Sequence, residues 1–235
     1  MATRTATRSA EIKKRLTHPV VDADGHVQEY VPVLLDFMRQ VGGKSLHDRW
    51  RDIHLNSVST GLYSPWYKMT PEERWDQRIL APTWWPTPTR NTLDRATAHL
   101  PGLLYERLDD MGIDFAIMYP TSCIGVVSIR DEEVRRGACR AFNTYQAAMF
   151  KEFADRITPA AAIPMATPQE AIEELEHAVK VLGLKVAMIP GFVPRPIPAV
   201  HRQHPGLPAG VGEWMDTFGV ETPVKLASSP LRAFL

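Results

Sequence analysis

The sequence predicts an α/β fold, and three observations lead to this class. Four apolar runs of strand length alternate with segments in which apolar residues have helical spacing. The runs are continuously apolar and do not alternate with polar residues, which is typical of parallel strands covered on both faces. The chain has 235 residues and a hydrophobic content of 44%, which suits one sizeable core and not two ordinary enzyme domains.

The first strand and helix follow a polar N-terminal stretch. The run "HPVVDAD" has β-branched residues behind a proline and predicts a strand over residues 20–24. The next run, "VPVLLDFMRQVGG", predicts a helix that Gly42 ends. Apolar side chains on one face of that helix are Val31, Leu34, Leu35 and Met38.

Three further strands, each with its helix, follow along the chain. The helix "PGLLYERLDDMG", with Gly112 at its end, precedes the strand "IDFAIMYP". Residues 131–156 have apolar positions three or four apart and predict a long helix, after which "ITPAAAIPM" is the third strand. Residues 167–183 predict a helix with a capping box of Thr167 and Glu170, and "LKVAMIP" is the fourth strand.

Three regions lack this regularity. Residues 1–17 have no apolar stretch of the length a secretory signal needs, and we expect a disordered tail there. Within the 18–190 unit, residues 44–100 carry five of the six tryptophans and five prolines. A linker would not hold so much aromatic surface, so we expect an insertion with short helices. Residues 191–235 are rich in Pro and Gly and predict an irregular segment without a fifth strand.

Charge and cysteine content exclude several partners. Lys and Arg number 27, and Asp and Glu also number 27, so no net field attracts nucleic acid or an anionic membrane. No run approaches the roughly 18 apolar residues of a transmembrane helix. The two cysteines are too few for the disulfide framework of a small secreted domain. We therefore expect a cytoplasmic protein that binds a small-molecule substrate.

The principal candidates for chemistry lie at the end of the first strand. Asp22, Asp24 and His26 occupy alternate positions, so a regular strand projects them to one side. The carboxyl ends of parallel strands carry the sites of α/β proteins, and a carboxylate and an imidazole there can share a divalent ion. The residues alone leave two interpretations open: a metal site, or a hydrogen-bonded corner in which Asp24 caps a turn.

Candidates for substrate binding lie further along the chain. Glu29 can contact the substrate or the metal ligands, or it can cap the first turn of the following helix. Arg74, Arg78 and Trp84, with Trp85, can form a lid that holds an aromatic carboxylate by charge and stacking. The alternative, which we favour, is that the tryptophans pack the insertion against the rest of the fold or against a neighbouring subunit.

Two polar residues elsewhere have structural explanations. Asn143 lies among apolar neighbours on a helix and predicts a hydrogen-bonded core amide. Cys123 follows the second strand, where a small buried hydrophobic residue is the favoured interpretation over a site residue.

The stretch "VVDADGHVQE" resembles the opening strand of the amidohydrolase-related proteins. This branch of the amidohydrolase superfamily includes hydrolases and nonoxidative decarboxylases similar to aminocarboxymuconate-semialdehyde decarboxylase. The segments "MYPT", "CRAFN" and "GLKVAMIPG" are similar to the same family, so the resemblance covers residues 18–205. It implies a (β/α)8 TIM-type barrel, of which this chain shows four units, and a catalytic divalent metal held by Asp24 and His26. Zinc is expected first, and manganese second.

The resemblance also implies an activity. We expect a metal-dependent hydrolase that uses a metal-activated water on an amide or ester-like bond of a small organic substrate. The alternative is a nonoxidative decarboxylase of an aromatic or muconate-type carboxylate. The family's later ligands, histidines after the fifth and sixth strands and an aspartate after the eighth, lie beyond the visible similarity. His201 and His204 stand in a Pro-rich stretch instead.

These shortfalls lead us to expect a chain truncated at its C-terminus, with an incomplete metal site. Two ligands rarely hold zinc tightly, so we expect this chain alone to bind metal weakly. A half barrel exposes strand edges and apolar helix faces, so we also expect a homo-oligomer. A catalytically inactive half barrel is the third interpretation.

Overall fold

The structure, a computed structural model, describes residues 7–56, 70, 72–73, 92–129 and 131–190. The principal elements in chain order are α1 (Arg8–Lys13), β1 (Val21–Val27), α2 (Val31–Asn56), α3 (Thr92–His99), α4 (Pro101–Met111), β2 (Phe115–Pro120), α5 (Glu132–Phe150), β3 (Ile157–Ala162), α6 (Pro168–Glu176) and β4 (Val186–Met188). Short 3₁₀ turns occupy Thr121–Cys123, Val126–Ser128 and Lys151–Phe153, and a π-helical turn, His177–Val181, continues α6.

The four strands form one sheet in the order β1-β2-β3-β4. Each neighbouring pair is parallel, and helices separate successive strands along the chain. The α/β class with a parallel sheet is therefore confirmed. Four consecutive strands of a (β/α)8 barrel have this sequential order, so the described residues form part of a barrel. All four carboxyl ends lie at one edge of the sheet, which is where α/β proteins place their sites.

The helix after β1 is longer than predicted. Its backbone leaves helical geometry at Gly42 (φ −129°, ψ 16°) and Gly43 (φ 67°, ψ −162°), so a first helical segment ends where the sequence predicts. The positive φ at Gly43 lies in the left-handed region that favours glycine. A second helical segment then continues to Asn56, which places residues 44–56 in α2 and not in the insertion.

Trp50, on this second segment, shows what one of the tryptophans of residues 44–100 does. Its side chain is only 1% exposed. Its ring meets that of Phe142 on α5 edge-on, with 5.8 Å between ring centroids. Such a contact adds to the free energy of burying both rings. Trp50 therefore packs against the core.

Apolar clusters hold the helices to the sheet. The contact between α2 and α5 buries Leu34, Met38, Leu46, Phe142 and Tyr145. A second cluster joins α4 to the first three strands and contains Val27, Leu104, Leu108, Met118 and Ile157. These contacts fix β1 and β2 relative to α5, and the polar residues after β1 and β2 are positioned by them.

The start of α6 is as the sequence predicts. Thr167 is its N-cap, and the Glu170 side chain reaches back to complete the capping box. The same Glu170 carboxylate is buried and accepts a hydrogen bond from Arg135 Nη2 of α5 at 2.8 Å. The cap therefore also joins α6 to α5.

Part of the region in which we expect a disordered tail, residues 1–17, is helical in the structure. Residues Arg8–Lys13 form α1, whose first turn is capped by the Thr7 side chain. Lys13 Nζ lies 2.7 Å from a carboxylate oxygen of Asp114, directly before β2, so an ion pair joins α1 to the sheet. The predicted irregular segment, residues 191–235, and most of the predicted insertion lie outside the described residues.

The described helices include none with the length and apolar character needed to cross a bilayer.

Candidate functional site

β1 is irregular where the candidate residues lie. Its pairing with β2 shifts between Asp22 and Gly25, because the two residues between them stand opposite one residue of β2. This bulge puts Asp22 on the same face as Gly25, and a Cβ added at Gly25 would lie 3.3 Å from Asp22 Oδ2. The expectation that Asp22 projects together with Asp24 and His26 is therefore wrong, and the bulge is the physical reason.

Gly25 has a packing function at this bulge. A Cβ there would lie 2.6 Å from Met118 Sδ and 2.9 Å from the carbonyl oxygen of Ile117, and both atoms belong to β2. Only a residue without a side chain lets the two strands approach this closely. The glycine thus fixes the position of β1 against β2 immediately before His26.

His26 contacts residues at the end of β2. Its Nδ1 is hydrogen-bonded to Thr121 Oγ1 at 3.1 Å. Its ring lies 6.0 Å from the ring of Tyr119, centroid to centroid, and Tyr119 is its partner in the β1–β2 register. The side chain of His26 is 22% exposed, and that of Asp24 is 95% exposed. A half-buried imidazole with one nitrogen fixed thus stands beside a solvent-exposed carboxylate.

The pair of Asp24 and His26 fits two ligands of one divalent ion. Asp24 Oδ1 lies 3.9 Å from His26 Nε2. Zinc binds such oxygen and nitrogen donors at about 2.0–2.2 Å, so two donors of one ion lie within roughly 4.2 Å of each other. Histidine ligands normally bond their second nitrogen to a neighbouring group, as Nδ1 does here with Thr121. Within the described ranges, no cluster of three or more His, Cys, Asp or Glu side chains is placed to hold an ion.

Glu29 is buried beside this pair, in the segment between β1 and α2. Its side chain is 2% exposed, and its Oε2 accepts a hydrogen bond from the Ser122 N–H at 3.1 Å. Ser122 follows Thr121 in the turn after β2, so Glu29 joins the ends of β1 and β2. The alternative that Glu29 caps the first turn of α2 does not describe this contact.

The environment of Glu29 favours its protonated form. Desolvation by burial raises the pKa of Glu29 from 4.5 to about 7, and hydrogen bonds from Ser122 and from the Glu29 backbone oppose this rise. Its second oxygen, Oε1, has no hydrogen-bond partner in the part of the chain that the structure describes. A buried carboxyl of this kind can hold and release a proton near neutral pH.

Sequence analysis missed Thr121 and Ser122. Both are buried in the turn that follows β2, and they contact His26 and Glu29 respectively. Their position indicated a possible role, because residues directly after the second predicted strand lie at the same sheet edge as the end of β1. Their importance depends on which side chains of β1 they meet, and the sequence does not give that pairing.

The structure describes only some of the other candidates. The lid residues Arg74, Arg78, Trp84 and Trp85 and the later histidines His201 and His204 lie outside the described residues. Within the described part, Cys123 is fully buried in the apolar cluster with Cys139, as the structural interpretation predicts.

Asn143 is a hydrogen-bonded core amide, as predicted. Its Nδ2 donates to the carbonyl oxygen of Ala162 at 3.0 Å and to Glu174 Oε1 at 2.7 Å. Its Oδ1 accepts from the Ala162 N–H at 2.7 Å. Every polar atom of this side chain therefore has a structural partner.

Comparison with protein families gives a match over most of the chain. The profile of a family described as "Amidohydrolase" matches residues 22–205. This range begins within β1 and includes Asp24, His26 and Glu29. Comparison with curated proteins found no significant match.

Solved structures of decarboxylases are similar to parts of this chain. A 5-carboxyvanillate decarboxylase from Novosphingobium aromaticivorans, with manganese and 4-hydroxy-3-methoxy-5-nitrobenzoic acid, is 18% identical with a TM-score of 0.46, over 80% of this chain and 45% of its own. A 2,6-dihydroxybenzoate decarboxylase from Rhizobium is 19% identical with a TM-score of 0.41, over 85% and 55%. The 5-carboxyvanillate decarboxylase from Sphingomonas paucimobilis is 14% identical with a TM-score of 0.46, over 86% and 60%. The chain spans about half the length of these proteins.

Proposed function

The chain belongs to the amidohydrolase family, and from this premise we propose that it carries part of the site of a metal-dependent hydrolase. The substrate is a small organic molecule with an amide or ester-like bond. The observation that carries the proposal is the pair of Asp24 and His26 at the carboxyl end of β1, with Oδ1 and Nε2 3.9 Å apart. This spacing and the edge of the sheet at which the pair lies both suit a catalytic ion.

Each residue of the pair has a distinct task in this proposal. Asp24 contributes a negatively charged oxygen, and His26 contributes Nε2, while Thr121 Oγ1 holds Nδ1 and fixes the orientation of the ring. When bound, a divalent ion such as Zn²⁺ or Mn²⁺ supplies Lewis acidity and a hydroxide nucleophile at neutral pH. Further ligands have to come from outside the described residues.

Nonoxidative decarboxylation of an aromatic or muconate-type carboxylate is the second candidate function. The observation that favours it is Glu29, because a buried carboxyl that keeps its proton can supply the hydrogen that replaces the lost CO₂. In either reaction, we propose that Glu29 faces the substrate side of the site. Arg74, Arg78 and Trp84 remain proposed contacts for a substrate carboxylate or ring.

We also propose that the chain associates with a second copy in a reducing cytoplasm. Apolar side chains are exposed on α6, on the π-helical turn that continues it, and after β4: Ile172, Leu175, Val179, Val181 and Ile189. In the described sheet, β1 and β4 each have one neighbouring strand, so each has an open edge. We expect size-exclusion chromatography with light scattering to give a dimer, and a monomer with a cooperative thermal transition would contradict this proposal.

Metal titration tests the proposed site directly. The wild-type chain, freed of metal, is titrated with Zn²⁺ and with Mn²⁺ in a competition assay beside His26→Ala. We expect one weak site per chain, which His26→Ala removes. His18→Ala is the matched control, because His18 is exposed and lies before β1. Metal binding that is the same in His26→Ala and wild type would overturn the site.

Product analysis then separates the two reactions. The metal-loaded chain is incubated with aromatic amides and esters and with hydroxylated aromatic carboxylates. Release of amine or alcohol supports hydrolysis, and release of CO₂ supports decarboxylation. Loss of either product in His26→Ala ties the activity to the site, whereas metal binding without any product favours the inactive half barrel.

A further inference from the structure

The hydrogen bond between Glu29 and Ser122 joins the ends of β1 and β2. A glutamate that only capped the first turn of α2 would not need this contact. Glu29 is buried, and its Oε2 accepts the Ser122 N–H at 3.1 Å. The Ser122 hydroxyl is a second hydrogen-bond partner of the same carboxyl group. Ser122 is also the neighbour of Thr121, whose hydroxyl is bonded to His26. The Glu29 carboxyl and the Ser122 hydroxyl therefore lie beside Thr121, the residue that contacts His26.

No positive charge compensates Glu29 among the described residues that shift its pKa. The titratable side chains that interact with it electrostatically are Cys123 in the turn after β2 and Tyr145 on α5. Burial raises the pKa of the Cys123 thiol and that of the Tyr145 phenol, so both are neutral at pH 7. Desolvation therefore remains the dominant influence, and the carboxyl group keeps its proton to a higher pH than an exposed glutamate does.

We propose that Glu29 and the Ser122 hydroxyl form a proton relay that serves the sheet edge where Asp24 and His26 lie. The inference rests on the proposed function, and it assigns Glu29 a role through Ser122 and not by contact with the metal. Ser122 Oγ gives its proton to the reacting group and takes the proton of Glu29. The resulting carboxylate is stabilised by the N–H groups of Ser122 and of Glu29 itself.

The relay balances for both candidate reactions. In hydrolysis, the proton passes from Ser122 to the leaving nitrogen or oxygen, and Glu29 recovers one proton from the attacking water. In decarboxylation, the carbon–CO₂ bond breaks, its electron pair stays on carbon, and the proton from Ser122 forms the new carbon–hydrogen bond. Glu29 then takes a proton from water. Water is the only co-reactant in both cases.

Infrared difference spectroscopy of the chain without substrate tests the first half of the relay. Spectra of wild type and Glu29→Gln are compared between pH 4 and pH 9. We expect a protonated-carboxyl band in wild type that disappears with a midpoint of about 7 and is missing in the variant. Ser122→Ala should move the midpoint upward, because it removes a hydrogen bond to the carboxylate, and Ser122→Thr should not. A midpoint near 4.5, or no effect of Ser122→Ala, would overturn the relay.

Kinetics of the metal-loaded chain test the second half. Glu29→Gln and Ser122→Ala should each lower kcat by roughly 10²-fold with unchanged metal occupancy and KM, and Ser122→Thr should restore it. Glu106→Gln on α4 is the matched control, because Glu106 is exposed. A kcat equal to that of wild type in Glu29→Gln contradicts the relay. An inactive wild type contradicts the proposed function, and the infrared midpoints then decide whether Glu29 and Ser122 share a proton.

Discussion

Glu29 and the glutamates of α6 are equally buried but differ in their partners. The exposed fractions are 2% for Glu29, 3% for Glu170 and 4% for Glu174. Glu170 accepts hydrogen bonds from the Arg135 guanidinium, including one at 2.8 Å. Glu174 accepts from Arg140 Nε and from Asn143 Nδ2, each at 2.7 Å. Among the described residues, Glu29 has Ser122 as its hydrogen-bond neighbour and no arginine.

The difference separates the proposed functional carboxylate from the two structural ones. Burial raises the pKa of both Glu29 and Glu174, but hydrogen bonds from Asn143 and Arg140 oppose the rise at Glu174. Glu170 and Glu174 are thus compensated by arginines of α5, and these contacts join α5 to α6. No described residue places a positive charge beside Glu29, which lies at the sheet edge near the candidate metal ligands. Burial alone does not distinguish the two regions, whereas the counter-charges among the described residues do.

Removing the cation from Glu170 should have the largest effect, because it converts a compensated carboxylate into one that resembles Glu29. Arg135→Met leaves a buried charge without its partner, and we expect the free energy of unfolding to fall by about 4 kcal/mol. Urea denaturation followed by circular dichroism measures this loss. Arg136→Met on the same helix is the control, because its ion pairs with Glu132 and Glu173 are exposed and should matter little. Equal losses in the two variants would remove the distinction between buried and exposed pairs.

Glu29→Gln should have the next largest effect, and the effect depends on pH. The folded chain holds the Glu29 proton up to a pKa of about 7, and the unfolded chain releases it near 4.5. The free energy of unfolding of wild type therefore decreases as pH rises between these values, by about 3 kcal/mol in total, and is constant above them. The glutamine variant lacks this contribution.

Urea denaturation at several pH values measures the difference between the two chains. Glu29→Gln should be more stable than wild type at pH 8, and this advantage should shrink as pH falls below 7. Glu106→Gln should follow wild type at every pH. An advantage that does not change with pH would show that the Glu29 carboxyl is compensated like those on α6.

Local patterns predicted much of the fold. Continuous apolar runs located all four strands, and the capping residues of α6 and the end of α4 at Gly112 depend on neighbours within a few positions. The extension of α2 to Asn56 was missed, because the Gly42–Gly43 break is local whereas the second segment is held by contacts with α5. Periodicity alone does not reveal such tertiary support.

The candidate site was predicted in part for a similar reason. Asp24 and His26 follow from the end of β1 and from the resemblance to the family. Asp22 does not join them, because a bulge depends on the pairing with β2 and not on the residues of β1 alone. That no described cation lies beside Glu29 is also a tertiary property. The sequence does not reveal which carboxylate each arginine contacts.

Thr121→Val should have the smallest effect on stability and should act on metal binding instead. The variant keeps the shape of the side chain and removes the hydroxyl that is bonded to His26 Nδ1. We expect affinity for Zn²⁺ to fall roughly 10-fold to 100-fold, because the ring loses the contact that orients it. Thr121→Ser keeps the hydroxyl and should bind metal like wild type. Competition titration gives the affinities, and urea denaturation of the metal-free chains gives the stabilities. If Thr121→Val loses as much stability as Arg135→Met while its metal affinity stays the same, the hydroxyl belongs to the structural contacts. The sheet edge and the α5–α6 contact would then not differ in function.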